Sequence, residues 1–345
     1  MQAFLSDADR ALGRLDGSIQ TLPNPDLFVF MYVRKEAVLS SQIEGTQASL
    51  NDLLAAEAKV FDAKRPNDVN ELINYVRAFN HGLDRLKELP LSLRLIKEIH
   101  EKLMTGVRGH HMTPGEFRTS QNWIGPPGCT LNQALFVPPP HTAFPEILGE
   151  FEKFLHQDHA MPPLIKIGLA HAQFETIHPF LDGNGRIGRL LITFLLCQQR
   201  ILLKPVLYLS FFLRKYRAEY YELLQRTRDQ GDYESWLKFF LRGVAEVSVE
   251  ATSTARSIVE LREEHRVLIA DKFGMAARNA MRLLEYMFRN PFLSVPHVAN
   301  HLGVTFVAAN NIVGRLESEK ILTEITGKAR NRQFAYDPYI RLFRT

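Results

Sequence analysis

Apolar residues recur at three- and four-residue intervals along most of this chain, and that spacing is typical of α-helices with one buried face. Within residues 68–86, for example, Leu72, Ile73, Val76 and Phe79 follow it. The same pattern predicts helices over residues 1–21, about 27–44, 48–58, 68–86, 92–105, 142–157, 164–177, 186–197, 211–226, 233–241 and about 246–270. The sequence therefore predicts a mainly α-helical protein.

Two segments depart from this pattern. Residues 115–140 concentrate prolines, glycines and β-forming residues, so they predict a small β-hairpin flap inside the helical region. Residues 276–345 predict a helix at 277–288, then two short helices around the turn Gly303-Val304, and finally a hairpin with a basic tip. That order is typical of a winged helix-turn-helix domain.

The excess positive charge lies in the C-terminal segment. Residues 276–345 hold ten lysines and arginines against five acidic residues, a net charge of +5, whereas the whole chain carries +4. This favours DNA as a partner, with Lys328, Arg330 and Arg332 of the wing contacting phosphates. The predicted recognition helix offers only Arg315 for reading base edges. Docking of a protein, including a second copy of the chain in a homo-oligomer, therefore stays open as the alternative.

Length and composition limit the number of domains and the cellular compartments that the protein can occupy. The 345 residues allow two to three domains. The N-terminus has early acidic residues and no apolar core of a signal peptide. The longest apolar stretch, near residues 206–213, is shorter than the roughly 20 residues of a membrane span. Cys129 and Cys197 are too few for a disulfide framework or a zinc site. We therefore expect a cytoplasmic protein without a membrane partner.

Residues 176–189, Thr-Ile-His-Pro-Phe-Leu-Asp-Gly-Asn-Gly-Arg-Ile-Gly-Arg, carry the densest chemistry. The turn Gly183-Asn184-Gly185 runs directly into an apolar helical pattern. A turn that opens a helix directs backbone N–H groups and the positive end of the helix dipole at one point, which favours an anion. The segment therefore predicts a phosphate site.

The side chains around that turn suit a nucleoside triphosphate. Arg186 and Arg189 lie three residues apart on one side of the helix, and guanidinium groups suit phosphate oxygens. Asp182 offers the oxygen ligand that Mg²⁺ takes when phosphates and waters complete its shell. His178 is neutral in large part near pH 7 and is the candidate general base.

Other interpretations of the same residues fit less well. Gly183 to Gly188 matches G-x-G-x-x-G, but a dinucleotide site would need a preceding strand, and residues 164–177 predict a helix instead. A Walker loop is excluded because G-x-x-x-x-G-K-[ST] does not occur. His171 and His178 lack the spacing of paired metal ligands on a helix. We therefore expect His171 to be a packing residue.

The string His178-Pro-Phe-Leu-Asp-Gly-Asn-Gly-Arg-Ile-Gly-Arg189 resembles the complete H-x-F-x-[DE]-G-N-G-R-x-x-R signature of the Fic family, enzymes that transfer AMP from ATP to protein hydroxyls. The resemblance implies a Fic-type helical core, ATP and Mg²⁺ as cofactors, His178 as the base and Asp182 as the metal ligand. It also implies that the nucleotide is bound by Gly183, Asn184, Gly185, Arg186, Ile187, Gly188 and Arg189. The related Doc-type kinases replace part of the Gly-Asn-Gly turn, which is intact here. The 115–140 flap would dock the target protein, and Tyr220 or, preferably, Tyr221 would contact adenine.

A second string, Ser40-Ser-Gln-Ile-Glu-Gly45, ends the predicted helix at about 27–44. A carboxylate at a helix C-terminus faces the negative end of the dipole, so Glu44 should have a compensating partner. The string also resembles the [ST]-x-x-x-E-[GN] inhibitory motif of Fic proteins, with Ser40, Glu44 and Gly45 in the matching positions. We therefore hypothesise that Glu44 pairs with Arg189 and inhibits the protein.

Together these expectations give four regions. Residues 1–90 form an N-terminal helical region with the inhibitory helix at about 27–45, and residues 91–245 form a Fic catalytic core. Residues 246–275 form a connecting helix, and residues 276–345 form the winged-helix domain. The predicted function is transfer of AMP from ATP to a Tyr, Thr or Ser hydroxyl of a target protein, with release of pyrophosphate. The alternative is a nucleotide-sensing regulator that binds DNA.

Overall fold

The computed structural model describes residues 1–20, 22, 25–58, 68–107, 112–125, 128–157, 160–328 and 330–343. It separates into two compact units. The first contains Met1–Gly17, Tyr32–Ala48 and Pro66–Ala251, and the second contains Ser18–Met31, Ser49–Arg65 and Thr252–Thr345. The residues of the predicted active site all belong to the first unit.

The prediction of a mainly α-helical protein is confirmed. Up to residue 272 the helices are α1 (Gln2–Gln20), α2 (Pro25–Ile43), α3 (Leu50–Glu57), α4 (Val69–Arg85), α5 (Leu93–Met104), α6 (Phe144–His156), α7 (Pro163–Ile177), α8 (Asn184–Gln198), α9 (Ser210–Lys215), α10 (Arg217–Gln230) and α11 (Tyr233–Lys272). Side-chain caps begin several of them; Ser92, for instance, accepts a hydrogen bond from the backbone N–H of Leu95 at the start of α5. No helix of the described residues is long and apolar enough to cross a membrane.

Helix α8 lies at the centre of the first unit. Its residues are buried from Asn184 to Leu196 with the exception of Gly185, and a helix that is buried on every side belongs in a core. Helices α4, α5 and α7 pack against it. The strongly amphipathic α4 and α5 pack against each other, which leaves their polar faces outward. The loop that leads into α8 therefore precedes a helix that is packed against three others.

Two helix predictions were wrong in their limits. Residues 211–226 form two helices, α9 and α10, which meet at Tyr216. Residues 233–241 and 246–270 instead form the single helix α11, so the predicted boundary at 245/246 falls inside a helix. Gly243 does not interrupt α11 because it serves packing: a Cβ there would lie 2.6 Å from Cδ1 of Phe212.

The predicted β-hairpin flap has less strand pairing than expected. Within the described part of residues 115–140, pairing is limited to one antiparallel bridge between Ile124 and Phe136. The Ile124 N–H donates to the Phe136 carbonyl at 2.8 Å, and the Leu135 N–H donates to the Ile124 carbonyl at 2.8 Å. Prolines 138–140 follow directly, and because proline has no N–H the ladder cannot continue along them.

The small sheet of the protein lies in the second unit. Its elements are α12 (Ala277–Met287), β1 (Phe292–Ser294), α13 (Val295–Leu302), α14 (Phe306–Ser318), β2 (Thr323–Glu324), β3 (Gln333–Ala335) and α15 (Asp337–Arg341). The strands are antiparallel in the order β1-β3-β2, with Leu293 opposite Phe334. Gly303, in the left-handed conformation, ends α13, and Thr305 caps α14. The winged-helix assignment stays a prediction.

Candidate active site

The candidate base ends one helix of the site. His178 is the C-terminal cap of α7 and adopts the left-handed conformation, with φ of 50° and ψ of 58°. Its backbone N–H donates to the Phe174 carbonyl at 2.9 Å. This conformation turns the chain out of α7 and into the loop at 179–183, which begins α8. The base and the start of α8 are therefore separated by only a short loop.

Asn184 closes that loop. Its side-chain oxygen accepts a hydrogen bond from the Phe180 N–H at 2.8 Å, and its amide nitrogen donates to the Phe180 carbonyl at 2.7 Å. Gly183, with φ of 80°, precedes the first helical residue. The Asn184 side chain thus shapes the loop, whereas any anion would meet the backbone N–H groups of the first turn of α8.

The structure brings Glu44 and Arg189 together. An Nη2–Oε1 distance of 2.6 Å joins them, and Arg189 also donates to the Ser40 hydroxyl and carbonyl at 2.8 and 2.9 Å. The Arg189 side chain is only 2% exposed, but that of Glu44 is 33% exposed. Burial, the largest single effect, acts to raise the pKa of Glu44, but the charge and hydrogen bond of Arg189, together with the charge of Arg186, lower the pKa below the ordinary value. Glu44 is therefore ionised at neutral pH.

Glycine at position 185 permits this contact. A Cβ there would lie 2.3 Å from Oε1 of Glu44 and 2.9 Å from Nη1 of Arg189. The Glu44 carboxylate consequently lies directly over the first turn of α8, at the predicted phosphate site. It follows α2, which ends at Ile43, so the predicted end of this helix was one residue too late. Gly45, with φ of 95°, turns the chain away.

The second arginine, Arg186, has acidic neighbours of its own. Its Nη1 lies 3.5 Å from Oε2 of Glu71, its Nη2 lies 3.7 Å from Oδ1 of Asp182, and the side chains of Arg186 and Glu71 are 3% and 6% exposed. Thr46 donates to the same Glu71 oxygen at 3.2 Å. No local pattern singles out Glu71, because it lies in an ordinary amphipathic helix over 100 residues from Arg186.

Asp182 fits a metal ion that is held mainly by its substrate. The side chain is 42% exposed at the mouth of the site. Among the described residues no group of three or more His, Cys, Asp and Glu side chains could hold a metal ion. A single accessible carboxylate is the donor set that Mg²⁺ uses when phosphate oxygens and waters supply its remaining ligands.

The pKa of His178 favours the neutral imidazole. Burial, followed by the positive charge of Arg228, lowers it from 6.5 to about 4. Its Nδ1 is buried without a hydrogen bond of ordinary geometry in the described part of the chain, and the Glu175 carbonyl acts on the ring to raise the pKa, so Nε2 is the candidate proton acceptor. Arg228 donates to the Glu175 carbonyl at 3.0 Å, and its guanidinium lies 3.9 Å from the ring centre of Phe136 in the flap.

Beneath the base lie two further titratable groups. His171 is buried, and its two ring nitrogens lie 2.9 Å from the Gly188 carbonyl and 2.9 Å from the Tyr220 hydroxyl, which confirms its predicted packing role. Burial raises the pKa of Glu175 to about 7. A Cβ on Gly188 would lie 2.3 Å from Oε1 of Glu175, so this glycine allows the close packing of α7 on α8. Ile187 is wholly buried and contributes to the core.

The contact between Tyr221 and adenine stays a prediction. Tyr221 is 40% exposed, whereas the hydroxyl of Tyr220 is used by His171. The two rings lie 5.1 Å apart. Of the two tyrosines, Tyr221 is therefore the one with a surface that a base could contact.

Residues that no motif indicated brace the loop and the flap. Arg118, which is 2% exposed, donates to the carbonyls of His178 at 3.0 Å, Ser120 at 3.0 Å and Pro139 at 2.5 Å. Asn122 donates to the Phe180 carbonyl at 2.9 Å. Burial of such polar groups without hydrogen bonds would be costly. A polar residue inside the irregular 115–140 segment was the only sequence signal that could have indicated them.

Comparison with known proteins supports the family resemblance. Residues 2–84 match the Fic/DOC family N-terminal model, and residues 90–196 match the Fic/DOC family model. The chain is 29% identical over 206 residues to the protein adenylyltransferase Fic of Drosophila ananassae, covering 57% of this chain and 37% of that protein. It is 26% identical over 242 residues to the protein of the same name from Drosophila melanogaster, covering 68% and 44%. The chain thus spans about two fifths of the length of these relatives.

Solved structures share the fold. A Fic family protein from Desulfovibrio desulfuricans G20 matches with a TM-score of 0.63 and 19% identity over 96% of this chain and 95% of that one. Residues 134–508 of Fic-1 from C. elegans match with a TM-score of 0.54 and 21% identity over 75% and 74% of the two chains. Fold and loop together define a helical Fic-domain protein with an N-terminal extension. The chain belongs to the Fic/DOC family.

Proposed function

We propose that this protein is an adenylyltransferase that moves AMP from ATP to the hydroxyl of a Tyr, Thr or Ser side chain in a target protein. The observation that carries the proposal is the loop in which a neutral, half-buried histidine lies a few residues from the N-terminus of α8, close in sequence to Asp182 and Arg189. The names of the Drosophila relatives support the same activity.

The transfer is a single displacement at phosphorus. The acceptor oxygen forms a bond to the α-phosphorus of ATP while the bond from that phosphorus to the oxygen bridging to the β-phosphate breaks. Pyrophosphate leaves with the electron pair, and the acceptor proton passes to Nε2 of His178. A base of low pKa is a weak proton acceptor, but it is fully neutral near pH 7. Nearly every protein molecule therefore carries His178 in the neutral form that can accept a proton.

The phosphates would lie over the first turn of α8. Backbone N–H groups there, with the guanidinium of Arg189, supply fixed positive charge where the leaving pyrophosphate gains negative charge. Asp182 would hold Mg²⁺, and the ion, when bound, neutralises phosphate charge. Arg186 supports this arrangement from the side, because it is held between Glu71 and Asp182.

In the unliganded protein we infer that Glu44 inhibits transfer. Its carboxylate lies over the same helical turn and neutralises Arg189. ATP would then meet a carboxylate at the γ-phosphate position, so its α-phosphorus would be misaligned for attack. The contact is therefore both an electrostatic block and a steric one.

The flap would bind the target. Within its described residues one bridge pairs its two arms, and an extended segment of a target protein could add to the edge of this short pairing through backbone hydrogen bonds. It also presents several exposed apolar side chains: Trp123, Leu131, Leu135 and Val137. Such side chains, together with the backbone of this edge, suit a peptide that pairs along the edge and places one hydroxyl near His178.

The two free cysteines suit a reducing compartment, so we assign the activity to the cytoplasm.

Radioactive ATP tests the reaction directly. The Glu44→Gly variant is incubated with Mg²⁺, a cell lysate and ATP labelled at either the α- or the γ-phosphate. Adenylyl transfer predicts protein-bound label from α-labelled ATP only, and His178→Ala should abolish it. Label from γ-labelled ATP alone would instead indicate a kinase. No label from either, in a folded variant that binds ATP, would reject transferase activity.

A second candidate is a DNA-binding regulator whose Fic domain only senses nucleotide. The net charge of +5 on residues 276–345 favours it, and Lys328 and Arg330 are exposed. The Arg332 guanidinium is less available to a phosphate than these two side chains, since it donates to Asn310 at 3.2 Å and lies 3.8 Å from a Glu317 oxygen. This candidate requires ATP-dependent retention of duplex DNA together with no transfer of label.

A further inference from the structure

His100, on α5, connects two parts of the proposed active site. Its Nε2 lies 3.0 Å from the backbone carbonyl of Asp182, in the loop before α8. Its Nδ1 lies 2.9 Å from the backbone N–H of Gly115, at the base of the flap. The residue is only 1% exposed. A buried side chain with both polar atoms so used is held in one orientation.

The two backbone partners fix the tautomer of this ring. The Gly115 N–H can only donate, so Nδ1 must accept with its lone pair. The Asp182 carbonyl can only accept, so Nε2 must carry the proton and donate it. The imidazole is therefore neutral and protonated at Nε2. Any other protonation state would break one of the two contacts.

Packing leaves the ring little room to move. It stacks on Phe180 with the ring centres 3.7 Å apart and the planes 7° apart. On one side a Cβ at Gly183 would lie 3.4 Å from Nε2 of His100 and 2.9 Å from the sulfur of Met104. On the other side a Cβ at Gly115, whose φ is 82°, would lie 3.1 Å from Cβ of Glu101. Both connected segments thus approach α5 closely because their contact residues are glycines.

We propose that His100 is a positioning residue that sets the metal-binding loop and the target-binding flap relative to each other. Through Nε2 it places the backbone of Asp182, and through Nδ1 it places the base of the flap. Because its side chain is only 1% exposed, it would act through these backbone groups and not directly on nucleotide or target. The proposal rests on the proposed function in two respects, the metal role of Asp182 and the target-binding role of the flap, whereas the link itself is a property of the fold.

Two substitutions separate the two contacts. In His100→Asn the shorter amide can keep an acceptor near the position of Nδ1 but cannot reach the Asp182 carbonyl. In His100→Gln the longer amide can donate to that carbonyl but loses the acceptor for Gly115. Lys97→Met is the matched control, because Lys97 also joins α5 to the flap base, through a surface contact of 2.8 Å with Glu116.

The first measurement uses the unmodified protein and needs no activity. In ¹⁵N-labelled protein, the His100 ring should show a protonated Nε2 and an unprotonated Nδ1, and the Gly115 amide should exchange slowly with deuterium. Observation of the Nδ1-protonated tautomer or of a charged ring would overturn the proposal. This result stands whether or not the protein transfers AMP.

The second measurement reads the two arms separately. In His100→Gln, Gly115 exchange should rise about tenfold, the effect of losing one buried hydrogen bond, while the Mg²⁺ dependence of ATP binding by calorimetry stays within about twofold of wild type. In His100→Asn, Gly115 should stay protected, while the Mg²⁺ concentration for half-maximal ATP binding rises about tenfold. Lys97→Met should change neither. Equal changes in both readouts for both His100 variants would mean a general packing role and would refute the proposal.

Discussion

Replacing Glu44 with glycine should release the nucleotide site, because Glu44 is the group that lies over the first turn of α8. The Arg189–Glu44 contact of 2.6 Å is supported by two further hydrogen bonds from Arg189 to Ser40. Glycine at 44 should leave the fold intact, since α2 has already ended at Ile43. Arg189 would keep its Ser40 contacts and become available to a phosphate.

The exposure of the two partners sets the expected magnitude. A fully exposed ion pair contributes about 0.2–1 kcal/mol, and loss of one partner from a buried pair costs about 3–5 kcal/mol. Here Arg189 is 2% and Glu44 is 33% exposed, so the pair lies between these limits. A bias of about 2–3 kcal/mol against the productive ATP pose corresponds to roughly thirty- to hundredfold in rate.

The assay is the initial rate of AMP incorporation, self-modification included, at saturating Mg·ATP for Glu44→Gly and wild type. Glu44→Gln separates charge from shape and should activate less. Glu88→Gly is the matched control: Glu88 also follows a helix and lies 2.7 Å from an arginine, Arg85, but its side chain is 70% exposed. It should leave the rate unchanged. A Glu44→Gly variant that is folded yet no faster than wild type would show that this contact does not inhibit transfer.

Four other outcomes are expected. His178→Ala should abolish transfer but change ATP affinity by less than about threefold, because the imidazole acts on the acceptor proton; retained transfer would exclude it as the base. Wild-type transfer should not fall between about pH 7.5 and 5.5, because the neutral base prevails above its pKa of about 4. Arg228→Met should raise that pKa and move the acidic decline to higher pH, so an unchanged pH–rate profile would contradict the assignment. Neutralising Lys328, Arg330 and Arg332 should lower DNA retention and reduce the slope of log affinity against log salt by up to about 3, whereas equal retention would assign that segment to protein contacts.

The sequence predicted the parts of the site that depend on short spacing. Arg186 and Arg189 follow the glycine turn within one helical turn, so their shared direction could be inferred from periodicity alone. The Glu44–Arg189 contact spans 145 residues, yet it was foreseeable because a carboxylate after a helix needs a cation and Arg189 needs an anion. The Glu44 carboxylate and the Arg189 guanidinium each required a group of opposite charge, and each was the best candidate partner for the other.

Other contacts could not be predicted in this way, because the residues next to them in sequence do not indicate that they require a partner. Glu71, His100 and Arg118 lie in ordinary helical or irregular sequence, and only the packing of α4, α5 and the flap brings them to the loop. The predicted helix limits were wrong for a related reason. Gly243 is a poor helix former, but α11 continues through it because the missing side chain admits Phe212. Tertiary packing decided the outcome in each case.

The two arginines of α8 each face a carboxylate, and burial assigns these carboxylates different roles. Glu71 is 6% exposed and also accepts from Thr46, so withdrawing it from Arg186 would leave a buried charge without compensation. Glu44 is 33% exposed and can move into water at much lower cost. An incoming phosphate can therefore displace Glu44 from Arg189 while Glu71 keeps Arg186 in place. Because Thr46 lies two residues after Glu44, the fixed carboxylate also holds the end of the segment that carries the movable one.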